Sequence, residues 1–163
     1  MNLRIAGTEE ESIVDGPGIR YTIFTQGCLH GCPGCHNPDT HDVHGGIEVD
    51  IDELYEDIIS NPILTGVTLS GGEPFLQASK LIPLVTKIKS TTKLDVVCYT
   101  GYTIEQLFRL SKTHPSVDQL LKSIDILIDG PFMEDRKDLT LKFRGSSNQR
   151  ILFLQNGKVD LSK

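Results

Sequence analysis

Cys28, Cys32 and Cys35 stand within eight residues in a C-x3-C-x2-C spacing, and no fourth cysteine follows in that stretch. Three thiolates can hold a four-iron cluster and leave one iron open, and a metal that does chemistry keeps such a position for something other than protein. Structural zinc more often sits between paired C-x2-C knuckles, and no second knuckle occurs in the chain. The competing reading is a zinc site completed by His30, His36 or His41, since zinc accepts mixed ligands. Cys98 lies alone between Val97 and Tyr99 and reads as a small buried hydrophobe, with a fourth cluster ligand as the alternative. His41, His44 and His114 read as surface residues.

A second chemical word is Gly71-Gly72-Glu73-Pro74. Glycine lets backbone approach a ligand closely, and a carboxylate beside it can take an amino acid's ammonium; the bland alternative is a tight turn between strand and helix. Asp15-Gly16-Pro17-Gly18 is by itself a turn, and Asp129 ends an apolar run where a carboxylate needs a partner. Asp129 is read as facing the site, against the alternative of capping the next segment.

Alternating β-branched and aromatic residues over 19–25 predict a first strand, and 67–69, 94–100, 124–128 and 151–154 predict others, the last closed by a hairpin turn at Asn156-Gly157. Helical spacing predicts helices from Ile51, behind an Asp50 cap, to Asn61-Pro62; over 76–88, delayed or kinked by Pro83; over 103–110, capped by Thr103; and around Leu120. Strands alternating with helices predict a parallel sheet with function at the strands' carboxyl ends. The cysteine loop, the Gly-Gly-Glu-Pro turn, Thr100-Gly101-Tyr102 and Asp129-Gly130 each follow a predicted strand, so four loops converge on one rim.

These motifs together resemble the radical S-adenosylmethionine (SAM) enzymes, and within them the glycyl-radical-enzyme activases. Asp15-Gly16-Pro17-Gly18-Ile19-Arg20, the cysteine triplet, His36-Asn37-Pro38-Asp39-Thr40 and Ser70-Gly71-Gly72-Glu73-Pro74 carry that likeness. Ile128-Asp129-Gly130-Pro131-Phe132 and Arg144-Gly145-Ser146-Ser147-Asn148-Gln149 resemble the activating proteins of anaerobic (class III) ribonucleoside-triphosphate reductase. The likeness runs over about 13–151. It implies an α/β fold, a partial, open (β/α) barrel with a mainly parallel sheet, in one domain over 1–163. It implies a [4Fe-4S] cluster on Cys28, Cys32 and Cys35, and SAM held by Gly34, Cys35, His36, Gly71, Gly72, Glu73, Thr100 and Asp129. Many relatives have an aromatic residue where Gly34 stands, so His36 would supply the planar surface for the adenine.

The implied reaction is one-electron cleavage of SAM to methionine and a 5′-deoxyadenosyl radical, which takes hydrogen from a glycine of the reductase. Asp15, Gly16 and Arg144 would meet that partner, and a flavodoxin-like protein would donate the electron. An activating enzyme of pyruvate formate-lyase or of another glycyl radical enzyme is the alternative within the class; a non-catalytic zinc or iron-sulfur module is the alternative outside it.

The 163 residues are short for a full eightfold barrel of about 250. With a net charge of −6 the chain lacks the basic footprint of nucleic-acid binding. No run approaches the roughly 18 apolar residues of a membrane span, and residues 1–11 hold no apolar signal segment. A soluble, reducing, cytoplasmic setting is expected.

Overall fold

The computed structural model describes residues 1–35 and 38–162. Its strands are β1 (Asn2–Ser12), β2 (Arg20–Thr25), β3 (Ile47–Asp50), β4 (Gly66–Gly71), β5 (Asp95–Tyr99), β6 (Ile126–Asp129), β7 (Arg150–Gln155) and β8 (Lys158–Val159). The helices are α1 (Ile51–Ile59), α2 (Ala78–Thr91), α3 (Ile104–Ser111) and α4 (Pro115–Ser123). One sheet runs β3-β1-β2-β4-β5-β6-β7-β8. β2, β4, β5 and β6 form its parallel centre, while β1, β3, β7 and β8 add antiparallel flanks. The end strands β3 and β8 do not pair, so the sheet is open.

Strand side chains alternate between faces, and here the alternation sorts chemistry as well as direction. Tyr21, Ile23, Val67, Leu69, Val96, Cys98 and Leu127 join one core with Leu54, Ile58, Leu81, Val85, Leu107 and Leu120 from all four helices. The intervening residues point the other way. Val97, Ile126 and Ile128 form a second, smaller cluster there with Phe143 and Ile151, beside the buried polar residues Arg20, Thr22, Thr68 and Ser70. Helices therefore cover one face, and the opposite face is left to loops.

Local signals explain the helix ends. The Asp50 carboxylate accepts from the Asp52 amide at 2.9 Å, satisfying a donor at the start of α1. Thr103 and Gln106 form a reciprocal capping box on α3. The expected segment from residue 76 divides into a 3-10 turn, Pro74–Gln77, and then α2. Pro83 sits inside α2 on its exposed side, where water can satisfy the carbonyl it leaves unbonded.

Two strands escape the sequence reading. In β1 only Leu3 and Ile5 are buried apolar residues, and the outer half is occupied by exposed Glu9, Glu10 and Glu11. β3 buries none of its four residues fully. β3 is the edge strand and β1 lies next to it, and strands so weakly covered carry little period-two signal because a well-covered single face is what generates it.

Asp129 is fully buried, and its carboxylate takes the capping role rather than the expected site-facing one. One oxygen accepts from the Ile104 amide at 2.8 Å at the start of α3. Arg150, its direct cross-strand partner, donates from Nε at 3.0 Å and Nη2 at 2.5 Å, and its other guanidinium donors reach Glu105. Arg150→Ala should strand a buried carboxylate and lower stability by about 2–4 kcal/mol, read from the urea midpoint. A loss below about 0.5 kcal/mol, the scale of an ordinary surface change, would show that the pair is not what holds this corner. The hydrogen bonds from Arg150 also hold the Glu105 carboxyl down at about 2, from its ordinary 4.5. That contribution is present above pH 4.5 and is lost as pH falls toward 2, a dependence that Arg150→Ala should flatten.

Candidate cofactor cavity

The loops after β2, β4, β5 and β6 enclose a cavity of about 700 Å³ on the face the helices leave open, a size in the range of small-molecule sites. Cys28, Cys32 and Cys35 line it together with Gly71, Gly72, Thr100 and Gly130. One further loop, between β1 and β2, adds Ile13, Val14 and Asp15 to the lining, and the long loop after β6 also contributes Leu141 to Gly145.

The cysteines are half-buried around this volume. Burial pushes the Cys28 thiol above its usual range, the backbone N–H of His30 pulls it back, and Glu73, Cys32 and Cys35 push it up again. Three thiolates so close resist forming together unless a cation offsets their charge, which is what iron supplies. Among the described residues no three His, Cys, Asp or Glu side chains converge on a point that would hold a single metal ion. A cluster gives each sulfur a different iron and so needs ligands spread around a volume, as three cysteines lining one cavity are. The donor set therefore fits a [4Fe-4S] cluster. Cys98 is fully buried in the helix-side core, on the opposite face of the sheet, and cannot be a fourth ligand without turning its strand over.

The two glycines of the second motif are required for a reason beyond ligand approach. Gly71 has φ +91, and a Cβ there would meet the backbone of Phe24 and Thr25. A Cβ on Gly72 would run into the Gly27 carbonyl and come within 2.9 Å of the Thr40 carbonyl. The turn thus lies flat against the backbone that carries the cysteines, and the Gly72 amide donates to Thr25 at 2.8 Å. Glu73 is 1% exposed. Its oxygens accept from the Thr100 hydroxyl at 2.9 Å, the Gly101 amide at 2.8 Å, the Phe75 amide at 3.1 Å and His30 Nε2 at 2.5 Å. The expected ammonium acceptor is bonded to protein here and lies behind His30 and Thr100, which do line the cavity.

Asp15 lines the cavity, with its carboxylate accepting from Ser12 at 2.5 Å and Thr22 at 3.2 Å. Gly16 does not line it; its φ is +129, and a Cβ there would press on Arg20. Arg144 lines it, donating from Nη1 to the Gln149 carbonyl at 3.1 Å, while its buried Nε has no partner among the described residues. Gly34 sits at φ +71 in the cysteine loop, where a Cβ would meet the Glu134 carboxyl at 2.8 Å. The space of the missing side chain is taken by Glu134. His36 lies outside the described residues.

Sequence reasoning missed several residues. Arg20 is completely buried and donates to Thr68, to the Pro17 and Val67 carbonyls and to Asp95, fastening the Asp15-Gly16-Pro17-Gly18 loop to the sheet. An arginine opening a strand of β-branched and aromatic residues was the available signal. His41 lines the cavity instead of facing solvent, because its carbonyl accepts the Cys28 amide at 3.1 Å and draws it in. His30 is likewise a cavity residue, and nothing in its sequence neighbourhood says that it reaches Glu73.

In the native apoprotein Cys28, Cys32 and Cys35 should react with a thiol reagent, and Cys98 only after unfolding, since burial leaves it fully covered with its thiol held well above the usual range. Counting modified sites by mass spectrometry checks this; fast modification of Cys98 in the folded state would contradict the face assignment. Gly72→Ala should displace the cysteine backbone itself, so that iron retention after reconstitution drops along with any ligand binding.

The chain matches the family described as "4Fe-4S single cluster domain" over residues 14–152. It is 35% identical over 150 residues to the anaerobic ribonucleoside-triphosphate reductase-activating protein of Escherichia coli (strain K12), covering 88% of this chain and 94% of that protein. The namesake protein of Vibrio cholerae is 37% identical over 147 residues, covering 85% and 90%. The pyruvate formate-lyase 1-activating enzyme of Escherichia coli (strain K12) is 35% identical over 155 residues, covering 91% of this chain but 59% of that protein. With a cluster-binding family match over most of its length and these identities over nearly the whole of the reductase activators, the chain belongs to the family of anaerobic ribonucleoside-triphosphate reductase-activating proteins.

Proposed function

We propose that this protein is a radical SAM activase that generates the glycyl radical of an anaerobic ribonucleoside-triphosphate reductase. The observation that carries this is the gathering of Cys28, Cys32 and Cys35 with Gly71 and Gly72 around one cavity on the loop face of the sheet, in a chain whose near full-length relatives bear that activity in their names. When bound, the [4Fe-4S] cluster would supply the single electron needed to cleave SAM to methionine and a 5′-deoxyadenosyl radical, the species able to take hydrogen from the partner's glycine.

The chain's own residues hold and shield this chemistry. Cys28, Cys32 and Cys35 hold the cluster, and Gly71 and Gly72 keep the β4 loop thin enough for the cysteine loop to lie on it. Thr100 faces the cavity and steadies Glu73; Gly34 and Cys35 flank the adenine in this reading. Asp15 and Arg144 line the same cavity and Gly16 follows Asp15 in the chain, which supports the reading that the reductase's glycine loop enters against them. Arg144 Nε, which has no partner among the described residues, is a donor ready for an acceptor on SAM or on that loop. Asp129 acts indirectly, by fixing α3 and β7.

The electron donor in this reading is a flavodoxin-like protein, and the setting is a reducing cytoplasm. No helix among the described residues is long and apolar enough to cross a membrane. The reading treats residues 1–163 as one catalytic domain.

Reconstituted protein, SAM and a one-electron reductant should install a glycyl radical on an anaerobic reductase and not on pyruvate formate-lyase, measured by spin counting beside quantified 5′-deoxyadenosine. Radical on the lyase alone would transfer the assignment to the alternative activase. Arg144→Ala or Asp15→Ala should lower radical yield about tenfold or more while uncoupled SAM cleavage falls less, because holding a protein loop in attack geometry is a separate demand from splitting the cofactor. Equal losses in both measurements would remove these residues from partner binding.

A further inference from the structure

We propose that His30 is a positioning residue, locked by Gly101, that ties the cysteine loop to the Glu73 carboxylate and so sets the cofactor end of the cavity. The inference rests on the SAM-dependent reading above but adds a role within it. His30 lies between the first two cysteines, and its side chain crosses to a different loop, placing Nε2 2.5 Å from Glu73 Oε1. A carboxylate only accepts, so Nε2 carries the hydrogen. Its backbone N–H meanwhile serves the Cys28 sulfur. One residue therefore touches both the first cluster ligand and the buried acid of the Gly-Gly-Glu-Pro turn.

The ring is held from its other sides as well. It packs edge-on against Tyr102, with centroids 4.6 Å apart and planes at 77°. Position 101 is glycine for a visible reason: a Cβ there would lie 2.5 Å from His30 Cδ2 and 2.7 Å from Nε2. Gly101 also donates its amide to the same Glu73 oxygen that His30 reaches. Adding one methyl group at Gly101 would thus push the ring off Glu73 without changing His30 itself.

Because Glu73 is buried behind His30 and Thr100, which line the cavity, an incoming amino-acid group meets those two side chains, and their hydrogen bonds to the carboxylate fix where they stand. Losing the tie should weaken SAM binding more than turnover at saturating SAM. His30→Ala and Gly101→Ala should each raise the KM for SAM in the uncoupled cleavage reaction about tenfold, the scale of one hydrogen bond to a charged group, with kcat within about twofold. His30→Gln, which retains a donor on a side chain of similar length, should recover much of the loss.

The decisive measurement needs neither cluster nor SAM. In ¹H–¹⁵N spectra of the apoprotein, the His30 Nε2–H resonance should be visible and slow to exchange, and Gly101→Ala should abolish it. In urea unfolding of the apoprotein, Gly101→Ala should cost stability alone but nothing further in the His30→Ala background, because both changes break one contact. Additive losses, or an Nε2–H signal untouched by Gly101→Ala, would overturn the proposal. Failure of SAM cleavage in the wild type would strike the functional reading instead and leave these apoprotein results standing.

Discussion

The division of the central sheet into an apolar and a mixed face is the constraint on which the rest of the molecule depends. Period-two alternation sends Ile23, Leu69, Val96, Cys98 and Leu127 toward the helices and leaves Arg20, Thr22, Thr68 and Ser70 on the other side. Burying four helices against one face satisfies the hydrophobic requirement, at roughly 1.5–3 kcal/mol for each large apolar side chain fully covered. The opposite face cannot be closed by the same means, since its polar groups need partners. It is roofed by loops, and a loop roof over a sheet is a cavity.

Close backbone contact then builds the site within that cavity. The Gly71-Gly72 turn lies against the Gly27 region so tightly that side chains are excluded at both positions, which couples the cysteine loop to β4. Arg20 does comparable work at the other end of β2, drawing the Asp15-Gly16-Pro17-Gly18 loop onto the sheet through Pro17 and Thr68. Glu73 sits where the turns after β2, β4 and β5 meet, and its hydrogen bonds make those three loops one unit. A buried carboxylate is costly unless it is satisfied, and each of its donors belongs to a piece of the site.

Charged groups that look catalytic in a sequence can prove structural for the same reason. Asp129 ends an apolar strand beside a cavity loop, yet the free amide at the start of α3 and the guanidinium of Arg150 claim both its oxygens. Arg150 is opposite Asp129 by antiparallel register, and that register depends on a chain reversal across some twenty residues that no local pattern records. The second core cluster of Val97, Ile126, Ile128, Phe143 and Ile151 forms through the same reversal.

From the sequence alone came the cysteine triplet with no fourth cysteine beside it, the parallel strands and the helices between them, the caps at Asp50 and Thr103, and the convergence of motif-bearing loops on one rim. Each of these is encoded by neighbours a few residues apart, through spacing, periodicity or turn chemistry. Only the tertiary structure decided that β1 and β3 extend the sheet, since strands with one weakly covered face leave no alternation to read. It also decided that Cys98 faces away from the cavity, that His41 faces into it, that Glu134 fills the space beside Gly34, and that His30 reaches Glu73. Those facts are distances between residues remote in the chain, and such distances are set by how the helices and loops pack on the two faces of the sheet.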